Sequence, residues 1–412
     1  MPDYKPTSYP KSKINILFLE NISDTAVKQF KDSGYVNVRK LIGALSEEDL
    51  IKEIKNVHLL GIRSKTQITK KILSHANKLQ AIGCFCIGVN QVDIASATKK
   101  GIAVFNAPYS NTRSVAELVI GAAIMLIRRI PDKNKFAHEG IWYKEAKGSF
   151  ELRGKTLGII GYGNIGTQVS ILAEAMGMKV KFYDIITKLP LGNAEAADSL
   201  KSIVSQSDII SLHVPETAST KNLINKNILK QFKKGSILIN YARGEVVDIE
   251  ALSQALESGH LSGAGIDVLP WEPEKNGDSF NSPLQGLSNV LLTPHIGGST
   301  EEAQQNIGVD VSQKLFQYLE MGISTGSHSI PELSLPPQEG THRILHIHNN
   351  VPGVLSSINN SLSSKNINIV AQYLKTNEEI GYVVLDVDKK ISSNAFQLLK
   401  DVKETIKVRM LY

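Results

Sequence analysis

The chain has 412 residues and a net charge of +6, a length that allows two or three domains with buried cores. Its lysines and arginines form scattered short pairs without interleaved aromatic residues, which argues against nucleic-acid binding. The only cysteines, Cys84 and Cys86, share one apolar run, where we expect buried thiols. The polar residues 1–13 are no signal peptide, and no apolar run reaches the length of a membrane span. We therefore expect a cytoplasmic protein.

Short apolar runs alternate with helical patterns up to about residue 107, and this alternation predicts βα units on a parallel sheet. The apolar runs are residues 14–19, 57–62, 79–87 and 102–105. The same alternation of apolar runs and helical patterns resumes at residue 155 and predicts a second doubly wound sheet. Its strands are predicted at residues 157–160, 180–183, 209–214, 237–240, 265–268 and 290–292. Long helical patterns at residues 114–129 and 301–319 would carry the chain into this second domain and back out.

These patterns predict an α/β protein with two doubly wound parallel-sheet domains, one flavodoxin-like and one of the Rossmann type. The first domain is predicted to be discontinuous, with residues 1–110 and 301–330, and the Rossmann domain to span residues 111–300. A proline-rich linker at residues 331–340 leads to residues 341–412, whose βαββαβ pattern is ferredoxin-like. Because ligands bind beyond the carboxyl ends of parallel strands, we expect the active site in a cleft between the two large sheets.

The glycine turn Gly161-Tyr-Gly163-Asn164-Ile165-Gly166 follows a predicted strand and opens a predicted helix. Its three glycines suit a tight turn, a close approach of the backbone to a pyrophosphate and close helix–strand packing. Asp184 ends the next predicted strand, where a carboxylate would bind a ribose diol and disfavour a 2'-phosphate. The sequence therefore predicts NAD, although Asp184 has a simpler interpretation as a turn residue.

Four segments lie at or beyond strand ends of the second sheet, namely residues 212–215, 240–244, 267–273 and 293–298. Hydride transfer from a hydroxyl-bearing carbon needs a base, a cation for the substrate carboxylate and an acidic partner for the base. His295, Arg243 and Glu272 supply these three groups. Singly, each has an ordinary explanation as a loop, surface or turn residue, but their shared position favours function. His213 is the competing histidine and is interpreted as lining of the cleft or core.

The segments Asn240-x-x-Arg243-Gly244, Asp267-Val-x-x-x-Glu272-Pro and Thr-Pro-His295 resemble the D-isomer-specific 2-hydroxyacid dehydrogenases over about residues 13–325. The resemblance implies that Arg243, Glu272 and His295 are catalytic. The complete set of predicted cofactor-binding residues is Gly161, Gly163, Asn164, Ile165, Gly166, Asp184, His213, Val214, Pro215, Tyr241, Ala242, Asp267, Gly297 and Gly298. Tyr241 stands where the family has a small residue, so we expect it to alter contacts to the nicotinamide.

The segments around Arg63-Ser64, Phe105-Asn-Ala-Pro108 and residues 110–117 resemble the branch of this family that acts on 3-phosphoglycerate. That resemblance implies a phosphorylated 2-hydroxy acid as substrate, reversible oxidation at its hydroxyl group and a role in serine biosynthesis. It also implies reduction of 2-oxoglutarate as a further activity. The implied substrate residues are Arg63, Ser64, Asn111 and Lys144. No metal is expected.

The C-terminal module resembles an ACT domain, in which amino-acid effectors bind between paired modules. The resemblance implies L-serine as inhibitor, bound by His348, Asn350 and Asn368, and a homo-oligomer that we expect to be a tetramer. Asn349 and Val351 depart from the expected serine-binding pattern. Two alternatives stay open for the whole chain, a dehydrogenase of another 2-hydroxy acid and a non-enzymatic NAD(H)-sensing protein.

Overall fold

The computed structural model describes residues 10–273, 277–338 and 340–411. The first nine residues of the predicted first domain, which include most of the polar start, therefore lie outside the described residues, as do Glu339 of the predicted linker and Tyr412. The chain divides into two compact units. One contains the chain up to Ser110 together with Gln304 onward, and the other is Asn111–Ala303.

The first unit begins with a five-stranded parallel sheet in the order β2-β1-β3-β4-β5. Its strands are β1 (Asn15–Phe18), β2 (Asn37–Lys40), β3 (Leu59–Ile62), β4 (Ala81–Cys84) and β5 (Ala103–Asn106). Its helices are α1 (Asp24–Asp32), α2 (Glu47–Ile54), α3 (Lys70–His75) and α4 (Ile94–Lys99). The residues of β3, β4 and β5 are all buried, as a parallel sheet covered on both faces requires. This is why the sequence shows continuous apolar runs here.

The second unit is a seven-stranded parallel sheet in the order β12-β11-β10-β9-β6-β7-β8. Its helices are α5 (Thr112–Ile127), α6 (Ile130–His138), α7 (Asn164–Ala175), α8 (Leu200–Gln206), α9 (Lys226–Leu229) and α10 (Ile249–Glu257). Its strands are β6 (Thr156–Ile160), β7 (Lys179–Tyr183), β8 (Glu195–Ala196), β9 (Ile209–Leu212), β10 (Ile237–Asn240), β11 (Gly263–Ile266) and β12 (Val290–Leu292). The strand order reverses between β6 and β9, which is where doubly wound sheets bind dinucleotides.

The chain then continues through α11 (Glu301–Phe316) and a π-helical turn, Gln317–Met321, to the C-terminal module. Its elements are β13 (Thr341–Asn349), α12 (Val354–Ser363), β14 (Ile369–Thr376), β15 (Ile380–Asp388), α13 (Ser392–Lys400) and β16 (Thr405–Leu411). The strands form an antiparallel sheet in the order β14-β15-β13-β16. The predicted fold class, two doubly wound parallel sheets and a ferredoxin-like βαββαβ module, is confirmed.

The C-terminal sheet packs on both of its faces. One face covers α12 and α13, and the other joins the core of the first unit through residues such as Leu345 and Tyr382. On β16, Lys407 donates to the carbonyl oxygen of Leu79 over 2.7 Å, and burial lowers the pKa of this lysine to about 7. The predicted separation of residues 341–412 as a third domain stays a prediction, because the module shares a compact unit with the first sheet.

The segment before β13 is held by a buried arginine. Arg343 donates to both carboxylate oxygens of Asp386 over 2.8 and 2.9 Å, and both residues are buried. The same guanidinium donates to the carbonyl oxygens of Met321 and Pro336. One side chain therefore ties the residues of the predicted linker to the sheet. Within the described ranges, no helix has the length and apolarity to cross a membrane.

Candidate active site

The glycine turn lies between β6 and α7 in the second unit. Gly161 has a φ of +94°, and a side chain at Gly161 or Gly166 would collide with backbone of the same region. A Cβ atom at Gly163 would instead meet no atom within 4 Å. Gly163 caps α7 without a side-chain hydrogen bond, so the helix N-terminus presents its donors beside open space. This arrangement fits the pyrophosphate of a dinucleotide.

Asp184, at the end of β7, links two backbone turns. One carboxylate oxygen accepts from the N–H of Tyr162 over 2.8 Å, and the other accepts from the N–H of Ile186 over 3.0 Å. Each oxygen keeps a further lone pair. Asp184 therefore acts as the turn residue that its simpler interpretation described, and it retains the capacity to bind a ribose hydroxyl.

His295 and Glu272 form a hydrogen-bonded pair in the second unit. The Nδ1 atom of His295 lies 2.7 Å from Oε2 of Glu272, and Oε1 of the same carboxylate accepts from the N–H of Leu269 over 3.1 Å. His295 has a φ of +53°, a left-handed conformation that is uncommon for a residue other than glycine. The carboxylate is thus fixed at both oxygens, and Nε2 is the ring atom left to meet a ligand.

The electrostatics of this pair favour a protonated imidazole. The hydrogen bond to Glu272 raises the pKa of His295 above its ordinary value, the partial burial of the ring opposes this, and the charge of Glu272 adds to it. For Glu272, burial raises the pKa, but the hydrogen bond and charge of His295 outweigh it and leave the pKa below its ordinary value. The positive charge of Arg243 lowers the pKa of both groups.

Arg243 follows β10 in a loop that is fixed at several points. The side chain of Asn240 accepts from the N–H of Ala242 over 3.2 Å and donates to the carbonyl oxygen of Arg243 over 2.9 Å. A side chain at Gly244 would collide with the backbone of Leu269. The arginine loop and the glutamate loop therefore pack directly against each other. Asn240 and Gly244 had no predicted role, although both lie in the motif that contains Arg243.

Asp267 organises the turn that carries His295. Its buried carboxylate accepts from the Thr293 hydroxyl over 2.6 Å and from the N–H groups of Ile296 and Gly297 over 2.9 and 2.8 Å. Its carbonyl oxygen accepts from the N–H of His295 over 2.8 Å. Asp267 was predicted from its motif as a cofactor contact. The structure gives it a positioning function that only the folded turn reveals.

Two predicted cofactor residues have side chains that the protein encloses, partly for His213 and almost fully for Tyr241. Nε2 of His213 lies 2.8 Å from the Ser211 hydroxyl, and burial lowers the pKa of His213 to about 3, so the ring is neutral. Tyr241 is buried in the apolar cluster that contains Ala122 and Leu126 of α5, and burial raises its pKa. The Tyr241 side chain is therefore packed in the core, where the charge of Asp267 also raises its pKa, and its expected contact with the nicotinamide stays a prediction.

The remaining predicted residues divide between the units. Asn111 lies in the second unit, in contact range of Gly298, and Lys144 is exposed in the same unit. Arg63 and Ser64 follow β3 in the first unit and are partly or fully exposed. Val214 and Pro215 follow β9, one of the two strands between which the strand order reverses.

The predicted effector residues occupy two places in the C-terminal module. His348 lies at the end of β13, and its Nδ1 atom is 2.8 Å from the carbonyl oxygen of Asn349. Asn350 donates to the carbonyl oxygen of Asn377 over 2.6 Å. Asn368 is exposed and precedes β14. The register pairs Asn349 with Ile380 and Ile369 with Val387, so the two asparagines flank opposite ends of β15, roughly 20 Å apart along the strand. One module does not bring them together.

Two family models match separate parts of the chain. The model of the D-isomer specific 2-hydroxyacid dehydrogenase NAD binding domain matches residues 120–297. The model of the AHAS small subunit-like ACT domain matches residues 344–409. In the described part of the chain, no group of three or more histidine, cysteine or acidic side chains is placed to hold a metal ion.

Similar proteins extend over the whole chain. It is 52% identical to D-3-phosphoglycerate dehydrogenase of Escherichia coli (strain K12), over 98% of this chain and 99% of that protein. It is 50% identical to the protein of that name from Dictyostelium discoideum, with the same coverage. Among solved structures, D-lactate dehydrogenase from Aquifex aeolicus, complexed with NAD and lactic acid, is 27% identical. That superposition has a TM-score of 0.66 and covers 77% of this chain and 100% of the other.

Proposed function

We propose a reaction from the premise that this chain belongs to the D-3-phosphoglycerate dehydrogenases, within the D-isomer-specific 2-hydroxyacid dehydrogenase family. The reaction is the reversible oxidation of (2R)-3-phosphoglycerate to 3-phosphooxypyruvate, which begins phosphorylated serine biosynthesis. NAD is the cofactor, since the matched dehydrogenase domain is an NAD binding domain. The observation that carries the proposal is the 2.7 Å pair of His295 and Glu272, with the charge of Arg243 acting on both.

The side chains of the second unit divide the proton and charge chemistry among them. Nε2 of His295 takes the hydroxyl proton during oxidation and returns it during reduction. Glu272 stabilises the imidazolium through Nδ1 and fixes the ring in one tautomer. The planar guanidinium of Arg243 suits a two-point contact with the substrate carboxylate. NAD held at the glycine turn would supply the hydride acceptor for the carbon that carries the hydroxyl group.

The substrate phosphate needs several hydrogen-bond donors because it carries close to two negative charges. We assign this role to Arg63, Ser64, Asn111 and Lys144. All four are polar or basic, and none is fully buried. The cofactor contacts predicted along the glycine turn and the strand ends belong to the same proposal. A cytoplasmic location stays a prediction.

An amino-acid effector is consistent with the ACT domain, and we propose L-serine as an inhibitor and a homotetramer as the assembly. Support for an assembly comes from the register of the module. Asn350 and Asn368 flank opposite ends of β15, so a single effector site that uses both residues has to be completed by a second module. Inhibition then implies two states of the assembly with different serine affinity.

The experiment that tests the proposed reaction is the NADH-dependent reduction of 3-phosphooxypyruvate, compared with the phosphate-free analogue hydroxypyruvate and with 2-oxoglutarate. We expect kcat/KM to be highest for the phosphorylated compound, because it alone offers a phosphate to the proposed donors. A preference for an unphosphorylated acid would assign the chain to another 2-hydroxy acid. Tight NADH binding without any turnover would support a sensor of NAD(H).

A further inference from the structure

A buried carboxylate lies just beyond the carboxyl end of β1. Glu20 is 7% exposed and accepts three backbone hydrogen bonds from the loop that follows β3. Its Oε1 atom accepts from the N–H groups of Arg63 and Thr66 over 3.2 and 2.8 Å, and its Oε2 atom accepts from Lys65 over 2.9 Å. Within residues 63–66, only Ser64 does not donate its N–H to this carboxylate. Hydrogen bonds to an ionised acceptor are about twice as strong as neutral ones, so this loop is firmly anchored.

The backbone that presents Glu20 is strained. Glu20 and Asn21 have φ values of 59° and 51°, so two successive residues other than glycine adopt the left-handed conformation. The N–H of Glu20 donates to the carbonyl oxygen of Gly43, and that of Asn21 donates to Leu41, which holds this turn in place. Such strain persists only where the surrounding structure imposes it, and it is concentrated at functional sites.

A second side chain holds Arg63 from the other direction. Gln91, itself 3% exposed, donates from Nε2 to the carbonyl oxygen of Arg63 over 2.7 Å. The N–H of Arg63 is bound to Glu20 and its carbonyl oxygen to Gln91. Glu20 follows β1 and Gln91 follows β4, and β3 lies between these two strands in the sheet. The backbone of Arg63, which follows β3, is therefore fixed from both sides.

We propose that Glu20 is a positioning residue for substrate binding, which sets the orientation in which Arg63 and Ser64 meet the anionic substrate. This inference rests on the proposed function, in which those two residues bind phosphoglycerate. Glu20 cannot itself bind an anion, and its negative charge opposes one. Its contribution comes from ordering the loop, with Gln91 as the supporting clamp.

The negative charge of Glu20 and its ordering of the loop have opposite effects on the KM for phosphoglycerate. The direction in which this KM changes in Glu20→Gln therefore distinguishes between them. In Glu20→Gln, the side chain keeps its size and loses its negative charge, but an amide NH₂ group replaces one acceptor and faces a backbone N–H. If Glu20 acted only through its charge, the KM for phosphoglycerate would fall or stay constant. If it orders the loop, that KM rises by about tenfold or more, while the KM for NAD is unchanged.

The matched control is Glu53→Gln, which makes the same change at an exposed ion pair with Arg39 in the same unit. It should leave both KM values unchanged. Glu20→Asp, which keeps the charge but shortens the side chain, should give an intermediate KM for phosphoglycerate. An unchanged or lowered KM in Glu20→Gln, with wild-type protein active on phosphoglycerate, overturns the inference alone. Wild-type protein that does not turn over phosphoglycerate overturns the proposed function instead.

Gln91→Met provides an independent test if Glu20→Gln does not fold. Methionine has nearly the same length as glutamine but cannot donate to the carbonyl oxygen of Arg63. We expect a rise in the KM for phosphoglycerate of about threefold or more with the KM for NAD unchanged, since one of the two clamps remains. No change in the KM for phosphoglycerate in Gln91→Met contradicts the inference.

Discussion

At the scale of single residues, the proposed chemistry depends on a histidine whose pKa is raised mainly by one neighbour. Glu272 is fixed by the N–H of Leu269 and holds His295 at 2.7 Å, so the pKa of His295 lies above its ordinary value. Oxidation requires the neutral base, and its rate therefore rises as pH increases through this pKa. Reduction requires the imidazolium, and its rate falls over the same pH range.

Replacement of Glu272 by glutamine should move both pH dependences to lower pH, because the acceptor that stabilises the imidazolium loses its charge. We also expect kcat to fall by at least about tenfold in each direction. The measurement is kcat/KM against pH for oxidation and for reduction. Glu195→Gln, at an exposed position of β8, is the control and should leave both profiles unchanged. A pH profile of Glu272→Gln that coincides with that of the wild type would exclude this role for Glu272.

The residues of this pair could be predicted from the sequence because they follow successive strands of one predicted sheet. The residues that hold them could not. Asp267 was recognised by its motif, but its four contacts to residues 293–297 depend on a turn whose left-handed φ at His295 has no pattern in the sequence. Tyr241 is buried in an apolar cluster with α5, a packing that its motif alone did not indicate, and its predicted contact with the cofactor stays a prediction.

At the scale of secondary structure, continuous apolar runs predicted the buried parallel strands, and the helical patterns between those runs predicted the helices that cover them. Two details were not predictable by this route. The helix predicted at residues 114–129 is followed directly by α6, because Arg129 adopts a left-handed conformation and a new helix begins at Ile130 with Pro131 in its first turn. The short edge strand β8 has too few residues to show any period.

The C-terminal sheet contains a buried ion pair whose contribution to stability can be measured directly. Arg343 and Asp386 form a buried ion pair between β13 and β15, and removing one partner leaves a buried charge. Asp386→Asn should lower the free energy of unfolding by about 3 kcal/mol or more, measured by chemical denaturation. The double variant Arg343→Met/Asp386→Leu should recover most of that loss. The control is Asp401→Asn, at an exposed position after α13. Equal stability of Asp386→Asn and the wild type would show that the pair contributes little.

At the scale of the whole molecule, similarity to the D-3-phosphoglycerate dehydrogenases spans both units and the C-terminal module. The module has its own predicted effector residues, and their placement at opposite ends of β15 requires a second module for a shared site. The sequence supplied the residues of that site through resemblance. It could not supply their separation, which depends on strand register.

Asn350→Ala should separate regulation from turnover. We expect the serine concentration for half-inhibition to rise by about tenfold or more, because bound serine would lose a hydrogen-bond partner, with uninhibited kcat nearly unchanged. The measurement is a serine titration of NADH-dependent turnover. Asn394→Ala, at an exposed position on α13, serves as the control. Equal losses of inhibition and of uninhibited turnover in Asn350→Ala would argue against a separate effector site.

The central claim is that His295 moves the proton in an NAD-dependent reaction of a phosphorylated 2-hydroxy acid. Its most direct test is the rate of NADH consumption with 3-phosphooxypyruvate, measured for the wild type and for His295→Asn. We predict turnover by the wild type that exceeds turnover of hydroxypyruvate, and a loss of about 10²-fold to 10⁴-fold in kcat for His295→Asn with NADH binding retained. Equal rates for the two proteins, or wild-type protein that binds NADH without consuming it, would contradict the claim.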